Sequence, residues 1–458
     1  MKIILITGAS GSGKTFISKY LAEKYKVFYF DDIGVPSVDE MVLEYGGAEE
    51  WQKSMVQIWI EKLLALKDHQ ILILEGSFNP EFAVSLFQQY HFNNYKIICL
   101  HANKVVRDKR LIHNRKQPEL ANQDMENFAN VLKEKTLNSG GVIIDTSGDV
   151  YEIVKRCFEE IDGVDLARRE VLVELALSLV KEQFHQYSGL EIRPVKYGGW
   201  DNATFHLGET MLLRIPRGEA YALKVAKEHN VLKKLRSRLS VNIPKPIFMG
   251  HPSKRYPWHW SIYEYLDGDS ANSILLSDQE LEGLAHDLGV VLNELHKIDI
   301  TDAPLPGLHN YWRGEHISVY ENGALRYFVQ LEGLIDSEQV LSIWKKAVIT
   351  KWQNSPLWIH GDLASSNILV KDGKLYAVID FGGCAQGDPA CDLMIAWMFF
   401  KGKSRQIFKN TIKLNEDTWL RAKAWALWKS SFELVNIADK SSIEALKYIE
   451  IIKEITKE

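Results

Sequence analysis

Residues Gly8-Ala9-Ser10-Gly11-Ser12-Gly13-Lys14-Thr15 constrain the fold of the first part of this chain more than any other feature. They follow directly on an apolar run, Ile3–Ile6, and lead directly into a stretch with helical apolar spacing, Thr15–Tyr25. Glycines at that spacing let backbone N–H groups curl around an anion without Cβ clashes, while the helix that follows directs its N-terminal partial positive charge at the same point. The string matches GxxxxGK[ST] in the strand–loop–helix context that a phosphate-binding loop needs. Gly8, Gly11, Ser12 and Gly13 then form the cradle, Lys14 reaches the β- and γ-phosphates of a nucleotide, and Thr15 reaches Mg²⁺.

Beyond the loop, short apolar runs at Val27–Phe30, Ile71–Leu74, Lys96–Leu100 and Val142–Ile144 alternate with amphipathic stretches, among them one around Met55–Leu66. That alternation predicts βαβ units and a parallel sheet, an α/β domain over residues 1–162 with Tyr151–Ile161 as its closing helix. The boundary is expected near Asp162-Gly163, and a second domain, an α+β one of two lobes, over residues 163–458. Helical spacing from Val164 to Tyr187 gives way to Gly-rich turns and alternating strands from Val195 to Ile215, a small lobe over about 188–266. A mainly helical large lobe follows over about 270–458, with a β-like island at Leu357–Phe381.

Within the first domain, Asp31-Asp32 are expected to end the second strand and Glu75 to end the third, at the sheet edge where open parallel sheets bind ligands. Either could hold Mg²⁺ through water or bind a substrate hydroxyl, and a solvated strand end explains them as well. Arg107, Arg110 and Arg115 fall in one predicted helical segment. The run Arg107-Asp-Lys-Arg-Leu-Ile-His-Asn-Arg115 looks like the lid region of small P-loop kinases, and Val142-Ile-Ile-Asp-Thr-Ser-Gly148 resembles the last strand and turn of gluconate-kinase-like and nucleotide-kinase-like proteins. A solvated basic helix face is the alternative for the arginines.

The second domain carries His360-Gly361-Asp362-Leu-Ala-Ser-Ser-Asn367, then Ile368-Leu369-Val370, a turn at Asp372-Gly373, and Leu375–Ile379 leading into Asp380-Phe381-Gly382. Asp-Gly is favoured where both central turn residues need positive φ, so the segment is predicted to be a hairpin. Pairing its strands brings Asn367 close to Asp380, where an amide oxygen and a carboxylate can share Mg²⁺, while Asp362 can take the proton of an attacking hydroxyl. H-x-D-x-x-x-x-N followed by D-F-G is the protein-kinase catalytic layout, with Gly361 where protein kinases usually have Arg. With that substitution the sequence is similar to aminoglycoside phosphotransferases and their relatives. The missing Arg suggests that no phosphorylated activation loop is read.

The resemblance extends upstream. Tyr197-Gly198-Gly199-Trp200-Asp201-Asn202-Ala-Thr-Phe205 looks like the family's nucleotide-covering loop, with Gly198 and Gly199 over the phosphates. Arg214 stands where the family usually has a strand lysine, and Glu228 falls where its partner carboxylate belongs. The departure exchanges a compact ammonium for a planar fork that can bind phosphate bidentately. Ser261-Ile-Tyr-Glu264-Tyr265-Leu266-Asp-Gly268 resembles the inter-lobe hinge, so Glu264 and Tyr265 are expected to meet the nucleotide base. Gly387-Asp388-Pro389-Ala-Cys-Asp392-Leu393 matches the family's continuation, with Asp392 expected to brace backbone. Trp419, Trp425 and Trp428 are expected to pack the core and wall the acceptor pocket, with Glu315, Glu433 and Asp439 as candidate carboxylates for a polycation.

The resemblance implies transfer of the γ-phosphoryl of ATP or GTP, with Mg²⁺, to the hydroxyl of a small molecule, foremost an aminoglycoside-type antibiotic. A metabolic kinase acting on choline, homoserine or a sugar is the alternative, and a nucleotide-sensing protein without turnover is a third. The balance of 55 basic against 60 acidic side chains, net −5, lacks the basic footprint of a nucleic-acid binder. Four scattered cysteines without a CxxC pair and no apolar run of membrane-spanning length point to a soluble protein in the reducing cytoplasm.

Overall fold

The computed structural model describes residues 1–458 except 23–24, 67–69, 149, 163–168 and 197. The chain divides into two compact units, Met1–Asp165 and Leu166–Glu458. The boundary expected at Asp162-Gly163 falls at the edge of the undescribed stretch.

In the first unit the strands are β1 (Lys2–Thr7), β2 (Lys26–Tyr29), β3 (Ile71–Glu75), β4 (Tyr95–His101) and β5 (Val142–Asp145), and the helices are α1 (Lys14–Leu21), α2 (Val38–Tyr45), α3 (Ala48–Ala65), α4 (Pro80–Gln89), α5 (Lys104–Lys109), α6 (Gln123–Asn138) and α7 (Val150–Asp162). The strands form one parallel sheet in the order β2-β3-β1-β4-β5. Ile3, Ile4, Leu5 and Ile6 of the central β1 are all fully buried, as a strand covered on both faces requires. In α3, Trp51, Met55, Val56, Trp59, Ile60 and Leu63 recur at steps of three and four and bury one face. The loop Gly8–Gly13 therefore leaves the carboxyl end of the central strand, where this architecture places ligands.

The second unit opens with α8 (Val173–Gln183). Its small lobe is an antiparallel sheet, order β6-β7-β8-β10-β9, of β6 (Ile192–Pro194), β7 (Asn202–Leu207), β8 (Met211–Pro216), β9 (Pro246–Gly250) and β10 (Trp260–Glu264), with α9 (Glu219–Leu235) between β8 and β9. The large lobe contains β11 (Asp269–Ser270), α10 (Asp278–His296), α11 (Glu321–Gln330), α12 (Ser337–Ile349), β12 (Leu357–Ile359), the hairpin β13 (Ile368–Lys371) and β14 (Lys374–Val378), and β15 (Ala385–Gly387). It ends in α13 (Ala390–Leu393), α14 (Ile395–Met398), α15 (Gly402–Ile412), α16 (Glu416–Asn436) and α17 (Ile443–Lys457). Ser277 and Glu280 close a reciprocal capping box at the start of α10, satisfying N–H groups that a helix start leaves open. Helix α16 is buried around most of its circumference, Thr418, Trp419, Ala422, Trp425, Leu427 and Ser431 included, which makes it the central helix of this lobe. Trp419, Trp425 and Trp428 are core residues, as expected.

Candidate active site

The loop in the first unit has the backbone that its glycines permit. Gly8, Gly11 and Gly13 have φ of +153°, +80° and +90°, and a Cβ on Gly8 would lie 2.3 Å from the Leu100 carbonyl oxygen. Lys14 is buried and its Nζ donates to the Ala9 carbonyl at 3.1 Å, which folds the ammonium back over the loop. Glu75, at the end of β3, is buried beside it. Burial pushes its carboxyl up to about 6 against the pull of Lys14, and burial lowers Lys14 while Glu75 opposes the shift.

The arginine run differs from expectation. The helix stops at Lys109 and continues as a π-helical turn, Arg110–Asn114, and Arg115 follows it on the exposed surface. Arg107 is fully buried and pairs with Glu126. Arg110 donates to the Thr146 carbonyl at 2.6 Å and to the Thr146 hydroxyl at 3.2 Å, and that hydroxyl donates to the Ser12 carbonyl at 2.6 Å. These two arginines brace the loop from outside. Asp31 and Asp32 lie in a 3-10 turn, Phe30–Ile33, beyond the end of β2 at Tyr29, because the chain turns away from the sheet there. Both are exposed.

In the second unit the hairpin forms as its turn chemistry requires: Asp372 and Gly373 have φ of +52° and +71°, and β13 pairs antiparallel with β14. The Ile379 N–H donates to the Asn367 carbonyl at 2.9 Å, which sets Asn367 beside Asp380. Asn367 Nδ2 donates to the Asp362 carbonyl at 2.9 Å, leaving its amide oxygen for a ligand. Asp362 is exposed at the rim of the loop. Beneath it the buried Asp392 accepts the His360 and Gly361 N–H groups at 2.6 and 2.8 Å, the bracing role expected of it. Gly361 has φ +83°, and a Cβ there would lie 2.2 Å from the Gly383 carbonyl oxygen. No side chain fits, which accounts for glycine at this position within this fold itself.

From the small lobe, Arg214 on β8 reaches Glu228 on α9 at 3.1 Å and Asp380 at 2.9 Å. Glu228 also accepts the Tyr263 hydroxyl at 2.9 Å. Burial opposes charge on Asp380, yet Arg214 and Lys224 outweigh it and hold the carboxyl below its usual range. Gly198 and Gly199 lie in the open loop between β6 and β7, where an added Cβ meets nothing closer than 3.5 Å; Tyr197 lies outside the described residues. Glu264 and Tyr265 follow the edge of β10, but their N–H groups are taken by the Lys245 and Thr210 carbonyls, at 2.9 and 2.8 Å, so a base docking there has to use other backbone groups.

Several residues of this cleft went unread in the sequence. Lys224, one turn before Glu228 on α9, pairs with Asp201 of the covering loop at 2.5 Å and stands over the Tyr311 ring. Its i, i+4 spacing from Glu228 was a usable signal. Arg313 is buried against the rings of Trp425 and Trp428, and nothing in its local sequence announces that contact.

A bilobal unit with a carboxylate, an amide and a second carboxylate on the floor of its cleft and an arginine–glutamate pair in its roof is a kinase-like phosphotransferase. A model of the phosphotransferase enzyme family matches residues 191–425, more than half of the chain, and the chain belongs to that family. A model described as an AAA domain matches residues 4–130. No curated protein matches in sequence. Similar solved structures include the GDP and kanamycin complex of an APH(2″) enzyme, at 18% identity over 62% of this chain and 98% of that one, TM-score 0.49. Others are ADP-bound aminoglycoside phosphotransferase APH(2″)-Ib, at 19% over 63% and 97%, TM-score 0.42, and macrolide 2′-phosphotransferase MphH from Brachybacterium faecium, at 16% over 61% and 97%, TM-score 0.41. Among the described residues no helix is long and apolar enough to cross a membrane.

Proposed function

We propose that the second unit transfers the γ-phosphoryl group of ATP or GTP to a hydroxyl of a small molecule, an aminoglycoside-type antibiotic or a related compound, and that Gly8–Thr15 form a second nucleotide site in the first unit. The observation that carries the reading is the meeting of Asp362, Asn367 and Asp380 around one hairpin with Arg214 reaching Asp380 from the opposite lobe. The donor set suits Mg²⁺, since an amide oxygen and a carboxylate are hard oxygen ligands that leave room for phosphate and water. Among the described residues no three or more His, Cys, Asp or Glu gather as a protein-only metal cluster. When bound, Mg²⁺ would neutralise charge on the transferring phosphoryl group.

The protein's own part is positioning. Asp362, exposed at the rim, accepts the proton of the acceptor hydroxyl and aims its oxygen at phosphorus. Asp392 holds the Asp362 loop from below through two backbone N–H groups. Arg214, seated on Glu228, presents its fork to the phosphates. Of the carboxylates considered for a polycation, Glu433 is engaged by Lys429 at 2.6 Å and Asp439 by Ser441, which leaves the exposed Glu315.

Coupled ATP and GTP consumption across aminoglycosides, choline, homoserine, nucleosides and sugars tests this reading. Acceptor-dependent turnover in wild type, lost in Asp362→Ala and kept in Lys14→Ala, supports it. Turnover lost in Lys14→Ala and kept in Asp362→Ala moves the chemistry to the first unit. Nucleotide binding with no turnover on any acceptor favours a sensor.

A further inference from the structure

Lys227 is a half-buried side chain on α9 that the transfer chemistry above does not use. It lies next to Glu228 in sequence, but its ammonium points across the cleft. Nζ is 2.6 Å from His309 Nδ1 and 3.1 Å from the carbonyl oxygen of Cys384, two residues beyond the Asp380-Phe381-Gly382 turn. The tautomer of His309 follows from its other contact: Nε2 lies 2.9 Å from the Leu305 carbonyl, an acceptor only, so Nε2 carries the proton and Nδ1 offers a lone pair to Lys227. One ammonium thus ties three segments together: α9 of the small lobe, the Leu308–Asn310 turn, and the chain that follows Asp380.

We propose that Lys227 is a positioning residue for phosphoryl transfer, a clamp that fixes α9, and with it the Arg214–Glu228 pair, over the Asp380 segment so that the nucleotide cleft is set before ligand arrives. The proposal rests on the phosphotransferase reading of this unit. Two hydrogen bonds from one charged donor are the strong kind, and both acceptors are fixed, one a backbone carbonyl and the other a ring held by its own second contact. The groups facing Lys227 are Lys224 and Glu228 from its own helix, His309 from the turn, and Cys384 and Asp380 from the segment below. Burial, with Lys224 adding to it, lowers the ammonium to about 7. Burial and Lys227 push His309 down to about 3, so the ring stays neutral at working pH. Below pH 7 both contacts are charge-assisted, and above it they weaken to those of a neutral amine.

Replacing Lys227 by methionine removes both contacts while filling similar volume. A desolvated ammonium is costly to fold, so the variant should unfold no more easily than its parent. The test is Mg·ADP affinity by calorimetric titration in a Lys14→Ala background, which silences the first unit's site, together with the thermal midpoint. Lys227→Met is expected to weaken Mg·ADP about tenfold with an unchanged or higher midpoint. It should also abolish the parent's loss of affinity between pH 6 and 8.5. Unchanged affinity with a lowered midpoint overturns the clamp and makes Lys227 merely structural, and so does an unaltered pH profile. A parent that binds no nucleotide at all shows that the phosphotransferase reading itself has failed, and the clamp falls with it.

Discussion

Gly361→Ala places one methyl group where the fold has no room for it. Gly361 has φ +83°, and the added Cβ would stand 2.2 Å from the Gly383 carbonyl oxygen and 2.9 Å from its carbon. An L-residue in that region of φ costs about 1–2 kcal/mol. The neighbour is backbone and cannot rotate away, so relief requires moving the Phe381–Gly383 turn, an overpacking cost of about 1–3 kcal/mol. The sum, about 3 kcal/mol, corresponds to a fall of about 5 °C in the midpoint of the second unit's transition. Because the displaced turn begins at Asp380, acceptor-dependent transfer should fall by about 100-fold or more, a misplacement effect at the reacting groups. Scanning calorimetry and coupled-assay kinetics read the two consequences, with nucleotide binding to the Gly8–Thr15 loop as the internal control. Gly283→Ala, in α10 where an added Cβ meets nothing within 4 Å, should leave both unchanged or gain about 1 kcal/mol. A Gly361→Ala protein with wild-type turnover and a midpoint within 2 °C of the parent refutes the steric argument.

Three further perturbations have defined outcomes. Asp388 and Arg421 are both buried and meet at 2.6 Å. Asp388→Ala strands the guanidinium and should cost about 3–5 kcal/mol in denaturant unfolding, while the double variant with Arg421→Met should recover part of that loss; additive losses would contradict coupling. Glu75 ionises near 4.5 in an unfolded chain and at about 6 when folded, so above pH 6 the folded first unit carries a burden of about 2 kcal/mol that is absent below 4.5. Glu75→Gln should therefore raise its calorimetric midpoint at pH 7.5 and not at pH 4.5, and an equal shift at both values would exclude ionisation as the cause. Arg214→Ala and Glu228→Ala should weaken Mg·ADP binding in the Lys14→Ala background by similar factors, with the double variant little worse than either; multiplying losses would show independent roles.

Much of the first unit was legible because its signals are local. Ile3–Ile6 read as a strand and are buried on both faces, and the glycines of the loop have the positive φ values that their spacing demanded. What stayed hidden depends on the third dimension. The π-turn at Arg110–Asn114 interrupts the helix between Arg110 and Arg115, and the commitment of Arg107 to Glu126 and of Arg110 to Thr146 is a tertiary choice that leaves no trace in residue spacing. Asp31-Asp32 stand in a turn just past the strand end rather than on it, since the pairing of β2 with β3 ends at Tyr29 opposite Glu75, yet both still act on Glu75 through their charge.

In the second unit the floor of the cleft was legible and the ties between its lobes were not. Asn367 and Asp380 flank one local hairpin whose Asp372-Gly373 turn fixes the register, and Asp362 lies on the short loop just before it, so sequence order alone brings the three near one another. Arg214 is different. A lysine at that strand position would offer all its donors from one nitrogen, whereas Arg214 spreads them over a planar fork that sets Nη1 on Glu228 and Nη2 on Asp380 and so joins α9 to the hairpin's end across the cleft. Lys224 over the Tyr311 ring and Lys227 on His309 and Cys384 add two more ties from the same helix. If Asp380 holds the metal of a bound metal–nucleotide, it would do so on a carboxylate that Arg214 Nη2 already engages, so the ion pair would loosen as the metal comes to share that carboxylate. The planar fork would allow that without losing Glu228, because Nη1 could keep its partner while Nη2 turns to the phosphates.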